Sequence, residues 1–441
     1  MKNKLLKLLI IGFLILLTVG YIYYFRPMVD DELFSYGFSY NIINGLIPYK
    51  DFNMIITPLY IYLLGGVLKI FGSHLLVYHF ILALSIVLIT YISYKTIGKK
   101  AIVIYILPLI YPYTGYNIFV LLLLFLIFYY LDKNKKNTDN IEAIIIGLMI
   151  LTKQTLVLLV IPSLILAKNK KRVFSIYLVY ALIFLGYLVI NGNVFEFFDY
   201  CLFGMFDFAE KNGTGIDLLF IVESIIIIIL TYFYIKTKRK DIAYTLFFQI
   251  MAFPIVNQIH FIISFVPVVY LFLKEFRDNE IATILCFTLS ISFFITFNFI
   301  TFFKDDNYLY LKHYDVNNFM EGRATFSFTK NYVFKINDFI NEYEGYKPYL
   351  FGHFAYLVKL NNNIPINKYD LINDGNMGYD GANKYMSEID NYCKSNDCIF
   401  FINNRELELT ENVQTNKKIL EYVVNNYNQK FSSNVFDVYT N

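Results

Sequence analysis

The chain has 441 residues and a net charge of +3; 57% of its residues are hydrophobic and only 17% charged, against about 25% charged in an ordinary soluble domain. Such a composition excludes a wholly soluble protein, and the small net charge gives no reason to expect a nucleic-acid partner. The polar residues are unevenly spread. Residues 1–303 are apolar runs cut by short basic clusters, whereas 304–441 are rich in Asn, Asp, Lys, Glu and Tyr. A change of solvent from lipid to water is therefore expected near Phe303.

The first apolar run, ending at Phe25, is too long for the hydrophobic stretch of a signal peptide and lacks a small-residue cleavage site. It reads as a retained first membrane helix. Crossing about 30 Å of hydrocarbon takes roughly 20 apolar residues. The candidate spans are 5–25, 75–95, 101–113, 116–131, 142–152, 154–167, 174–190, 217–236, 242–255, 258–273 and 281–303. Six basic clusters punctuate them: Lys2/Lys4/Lys7, Lys95/Lys99/Lys100, Lys133/Lys135/Lys136, Lys168/Lys170/Lys171/Arg172, Lys236/Lys238/Arg239/Lys240 and Lys274/Arg277. The positive-inside rule puts all six in the cytoplasm. Each later interval then holds a pair of spans. The first interval obeys the same parity only if the apolar segment 58–71 lies along the surface or dips in and returns. Loop 26–57, the turns at 111–116, 153–154 and 257–260, the loop 191–216 and the tail 304–441 then face outward. The expected protein is an α-helical polytopic membrane protein of about 11 spans plus an interfacial helix. It carries a small C-terminal extracytoplasmic α/β domain over 304–441.

The first outer loop opens with three consecutive acids, Asp30, Asp31 and Glu32. Like charges at contact distance raise one another's pKa, and a site near lipid adds desolvation. Both effects tune a carboxylate toward general-base work; a solvated acidic cap is the competing explanation. Residues 32–44 suit an amphipathic interfacial helix. Gly45 should end it, and Pro48 should redirect the chain toward Asp51.

The acidic pair followed by Gly45-Leu46-Ile47-Pro48-Tyr49-Lys50-Asp51-Phe52 and Thr57-Pro58-Leu59-Tyr60 resembles the GT-C superfamily of membrane glycosyltransferases. The likeness is greatest to the protein O-mannosyltransferases and the aminoarabinose transferases. It covers 1–303, is specific in the first loop and is weak elsewhere. It implies a GT-C-like fold and an enzyme that takes a sugar from a polyprenyl-phosphate donor, with the catalytic carboxylate in the first outer loop and a surface-lying helix after it. Asp31 and Glu32 match the acidic pair; Asp30 is an extra acid that leaves the register open by one. Asp31 is the expected base, with Asp30 and Glu32 as rivals. Asp51 is expected to position the acceptor or bind a metal, which leaves a divalent cation open as a cofactor.

Leaving phosphate needs a cation or hydrogen-bond donors. Lys153 and Gln154, between two apolar stretches, are one candidate, because a charge at membrane depth is costly and marks function by default. A lysine snorkelling to the interface is the alternative. His260, in the polar turn Asn257-Gln258-Ile259-His260, is the other candidate, and a structural histidine its alternative. Tyr111, Tyr113, Tyr116 and Asn117 read as an interfacial aromatic belt before they read as a sugar site. P-loop, Rossmann, zinc-site and serine-hydrolase patterns are absent from the sequence.

In the tail, Lys335–Tyr343 and Asn416–Asn426 read as helices, and Tyr349–Phe351, Cys398–Ile402 and Val435–Tyr439 as strands. The stretch Asn373–Gly381 reads as plain turns ahead of a ligand loop. Cys393 and Cys398 are either a disulfide, if the tail lies outside the cytosol, or two thiols. Three functions compete. A glycosyltransferase acting on a cell-envelope glycan, teichoic acid or protein leads. A flippase of lipid-linked sugars should show a mid-membrane site or an internal repeat, and neither is visible. A polymerase or ligase of unrelated fold should carry outer arginines, whereas the membrane part offers Arg26 alone. Ile-, Asn- and Lys-rich usage points to an AT-rich bacterial genome and the plasma membrane, with a cytoplasmic N-terminus.

Overall fold

The computed structural model describes residues 2–26, 30–112, 114–133, 138–204, 206, 218–250, 258–302, 311–313, 320–352, 358–360, 372, 376–403 and 416–441. The expected boundary at Phe303 lies outside them, as do Tyr113, Asn257 and the first three residues of the 373–381 stretch.

The described residues of the expected spans are largely helical. α1 (Lys2–Gly20) runs into a π-helical turn to Phe25, and α2 (Asp30–Ile43) follows in the first loop. Next come α3 (Leu59–Phe71), α4 (Leu75–Ile97), α5 (Ala101–Ile110), α6 (Gly115–Asp132) and α7 (Thr138–Thr152). A 3-10 turn (Gln154–Leu159) leads into α8 (Val160–Leu166), then α9 (Lys170–Asn191) and the short α10 (Val194–Phe198). The last four of the bundle are α11 (Leu218–Thr237), α12 (Lys240–Ile250), α13 (Gln258–Glu275) and α14 (Glu280–Phe302). The chain is a multi-pass membrane protein, although only five described segments are individually long and apolar enough to cross. Leu75–Ile110 is one of them, a continuous run of 36 residues in which α4 and α5 meet at Gly98 (φ +62).

The helix expected over 32–44 is α2, and Gly45 ends it with φ +86, a conformation open to glycine at little cost. The segment at 58–71 forms α3. It packs so closely on α2 that a Cβ at Gly65 would press on the Ser39 carbonyl oxygen.

Four of the basic clusters meet at one end of the bundle. Lys240 Nζ binds Asp139 (2.7 Å) and Glu142 (2.9 Å), and Asp139 also accepts from the Lys168 amide. Lys274 Nζ binds Asp132 (2.6 Å) and Asp241 (2.9 Å), and Lys100 caps the carbonyls of Phe276 and Asn279. The parity argument needs those clusters to share a face of the membrane, and in the fold they share an end.

After the bundle comes a four-stranded sheet of order β3-β4-β6-β5. Its strands are β3 (Lys347–Phe351), β4 (Cys398–Asn403), β5 (Asn428–Ser432) and β6 (Phe436–Thr440); β3 and β4 are parallel, the other pairs antiparallel. A short pair, β1 (Leu311–His313) and β2 (Ala324–Phe326), precedes it. Period-2 alternation sends neighbours in β4 to opposite faces. Phe401 meets Phe339 of α15 (Ser327–Glu342), whereas Phe400 stacks on Tyr349 and Phe351, against which Tyr385 of α16 (Gly381–Cys393) packs. The fully buried run Cys398-Ile399-Phe400-Phe401-Ile402 is thus the centre of an α/β/α layering, closed by α17 (Lys417–Asn426). Cys393 and Cys398 form a disulfide from the end of α16 to the start of β4.

Candidate active site on the first loop

Successive residues of a helix point about 100° apart, so three acids in a row at the start of α2 cannot share one environment. The Asp30 side chain lies outside the described residues. Asp31 is half-buried, and its Oδ2 accepts a 2.6 Å hydrogen bond from the Tyr111 hydroxyl. Glu32 points inward and is 0% exposed. Arg323 grips it with two bonds, Nε to Oε1 at 2.9 Å and Nη2 to Oε2 at 2.7 Å; His79 Nε2 lies 3.0 Å from Oε1. The mutual raising of pKa expected from the acidic triplet is overturned for Glu32. Burial alone would push its carboxyl up, but the Arg323 guanidinium and His79 outweigh burial and hold it down at about 2. Glu32 is therefore an anion whose lone pairs are already committed.

Lys153 breaks the chain between α7 and the 3-10 turn by taking an extended conformation (φ −150, ψ 113). The residue is 8% exposed. Nζ donates to Asn117 Oδ1 at 3.1 Å and lies 5.8 Å from the Tyr116 ring centre. Among the described residues no carboxylate pairs with it. Holding a lysine here without an acid costs desolvation. Tyr116 is also an electrostatic neighbour of Asp31. The first turn of α6 therefore neighbours both the acid of the first loop and the lysine of the 153 turn. Tyr111, Tyr116 and Asn117, expected mainly as an interfacial belt, contact these two charges.

Gln154 and Asp51 are engaged in holding the loop. Gln154 Nε2 donates to the carbonyls of Ile55 (2.6 Å) and Cys201 (3.3 Å). Asp51 Oδ2 accepts from the Ile47 amide at 2.7 Å and so closes its own turn, in which Tyr49 takes φ +69. His260 is half-buried in the first turn of α13, and none of the bonds just described reaches it.

The C-terminal unit docks on this same end of the bundle. Besides the Glu32 grip, Arg323 Nη1 donates to the carbonyls of Tyr23 (2.9 Å) and Arg26, and the Tyr23 hydroxyl donates to the Glu321 carbonyl at 2.6 Å. Asn53 Nδ2 reaches the Asn376 carbonyl at 2.7 Å. Asp199 accepts from the Tyr379 amide (3.0 Å) and from Lys384 Nζ (2.9 Å). The described part of the 373–381 stretch is thus a docking loop. Gly378 there has φ +80, and a Cβ would collide with the Asp199 carboxylate. Gly378→Ala meets both strain and overlap, each worth about 1–3 kcal/mol. The expected result is a lowered melting temperature and faster proteolysis of the tail; an unchanged melting curve would contradict the docking geometry.

Sequence reasoning missed Arg323 and His79. One signal was present: only six of the 38 basic residues are arginine. In so lysine-rich a chain, an arginine marks a place where a planar bidentate donor is needed.

Among the described residues no three His, Cys, Asp or Glu side chains are grouped to hold a metal ion. Glu32 and His79 come together, but the guanidinium beside them would repel a cation. These residues do not fit a metal centre, and no step below depends on one.

The described residues form a multi-pass helical bundle whose first loop carries a half-buried acid and which a small α/β unit caps. The chain is similar to the crystal structure of ArnT from Cupriavidus metallidurans bound to undecaprenyl phosphate. The TM-score is 0.59 over 98% of this chain and 97% of that one, at 9% sequence identity. The likeness is one of fold. No family model matches the sequence. No curated protein matches it either.

Proposed function

We propose that the chain is an inverting glycosyltransferase that moves a sugar from a polyprenyl-phosphate donor to a hydroxyl of a cell-envelope glycan or protein. One observation carries the reading: a half-buried acid bonded to Tyr111 and a buried lysine without an acid partner among the described residues are both neighbours of Tyr116. The fold it shares with a protein crystallised with undecaprenyl phosphate supports it. Asp31 takes the proton of the acceptor hydroxyl as the oxygen attacks the anomeric carbon. The bond from that carbon to the phosphate oxygen breaks, and polyprenyl phosphate leaves with the electron pair. Lys153 meets the phosphate charge, and the amide end of α6 beside it favours the same anion. Gln154 and Asp51 keep the loop in shape, and His260 is left to the acceptor side.

Lys153→Met is the test. The variant keeps the bulk and removes the charge, so the donor KM should rise at least tenfold with the protein still abundant. An unchanged KM would remove Lys153 from the donor site.

In this reading the acidic end of the bundle and the tail face away from the cytoplasm. The disulfide supports that placement, since such bonds persist in oxidising compartments. In intact cells Cys393 and Cys398 should resist a membrane-impermeant maleimide and react after reduction by an impermeant phosphine. Labelling that requires permeabilisation would invert the topology.

A further inference from the structure

We infer that Arg323, contributed by the C-terminal unit, is a positioning residue that sets the place of Asp31, so that the active site is complete only when the tail is docked. The inference rests on the proposed role of Asp31.

Arg323 joins the end of the first membrane helix to α2. On one side its Nη1 takes the carbonyls of Tyr23 and Arg26, at the C-terminal end of the first membrane helix. Such terminal carbonyls have no helical partners of their own. On the other side its Nε and Nη2 take both oxygens of Glu32, in the first turn of α2. The guanidinium lies 5.7 Å from the centre of the Tyr23 ring, and Tyr23 in turn packs edge-on against His79 at 5.3 Å. Arg323 and Glu32 are both 0% exposed, so water does not compete for either. Asp31 precedes Glu32 by one residue. Whatever fixes the angle between the first helix and α2 fixes the Asp31 carboxylate, and a displacement of about 1 Å at a reacting group is worth about a hundredfold in rate.

The geometry of the grip decides the test. A planar fork can hold both Glu32 oxygens and two carbonyls at once, whereas a lysine is a point charge that cannot. Arg323→Lys keeps the charge balance of the buried site but loses its direction. It should lower kcat at least tenfold while leaving the donor KM within twofold, because Lys153 is untouched. Docking is read separately in the Asn53→Cys, Asn376→Cys pair, whose disulfide should form equally with Arg323 in place and in the Arg323→Lys background. A wild-type kcat in Arg323→Lys would overturn the inference. So would a loss of activity that tracks loss of the cross-link, which would make Arg323 a docking residue only. Asp31→Asn is measured alongside. If that variant transfers normally, the proposed base itself is wrong; if it is dead and Arg323→Lys is not, the failure belongs to the positioning role alone.

Discussion

Asp31→Asn should abolish transfer from polyprenyl-phosphate sugars, by at least about a hundredfold, in membranes that hold as much of the variant as of the wild type. A positioned general base contributes about 10²–10⁴-fold, and an amide cannot take the proton. The hydrogen bond from Tyr111 survives, because the amide oxygen can accept it. Structure should therefore persist while activity goes. Asp31→Glu should recover a fraction of the rate, since the carboxylate returns about one carbon too far out. Equal transfer by wild type and Asp31→Asn would reduce Asp31 to a polar cap on α2.

Arg323→Met should be the most destabilising single change at the junction. It leaves the Glu32 carboxylate in a dry site with the guanidinium gone and only the His79 imidazole within 3.0 Å among the ion-pair partners described. Removing one partner of a buried ion pair costs about 3–5 kcal/mol, mostly because the other charge is stranded. Adding Glu32→Gln to Arg323→Met should return much of that loss, and a double variant no more stable than Arg323→Met would show that the pair is not the source. The same pair gives a pH dependence. The folded pKa of Glu32 lies below its ordinary value of 4.5, so its contribution is present above that pH and is lost as the pH falls toward 2. The wild-type melting temperature should drop over that acid range, and more steeply than that of the double variant.

Why these effects meet at one loop was partly legible in the sequence. The apolar runs specify helices because a backbone in lipid must satisfy its own hydrogen bonds, and the described residues of the expected spans are largely helical. The ten residues of α5 are short for a span by themselves, and in the fold they continue from α4 in the run Leu75–Ile110. In the tail, Cys398–Ile402 and Phe436–Tyr439 announce buried strands by β-branched and aromatic content. The strand Asn428–Ser432 does not, because as an exposed edge strand it needs no apolar face. The acid, the lysine and the aromatic turn were each visible by residue type. That Glu32 and Asp31 face different surroundings was not. Periodicity separates them on α2, but the partner of Glu32 comes from nearly 300 positions away, after the last membrane helix. Such pairing is a property of the fold and leaves no local trace beyond the rarity of arginine. Asp51 was visible by residue type, but not the hydrogen bond by which its carboxylate accepts from the Ile47 amide and closes a turn.

The most direct test is to place the purified full-length protein in vesicles with a series of radiolabelled polyprenyl-phosphate sugars and candidate hydroxyl acceptors, and to follow free polyprenyl phosphate. The account predicts that at least one donor yields free polyprenyl phosphate and labelled acceptor in equal amounts, and that Asp31→Asn yields neither. Movement of intact donor from one leaflet to the other, with no bond broken for any sugar tried, would contradict it.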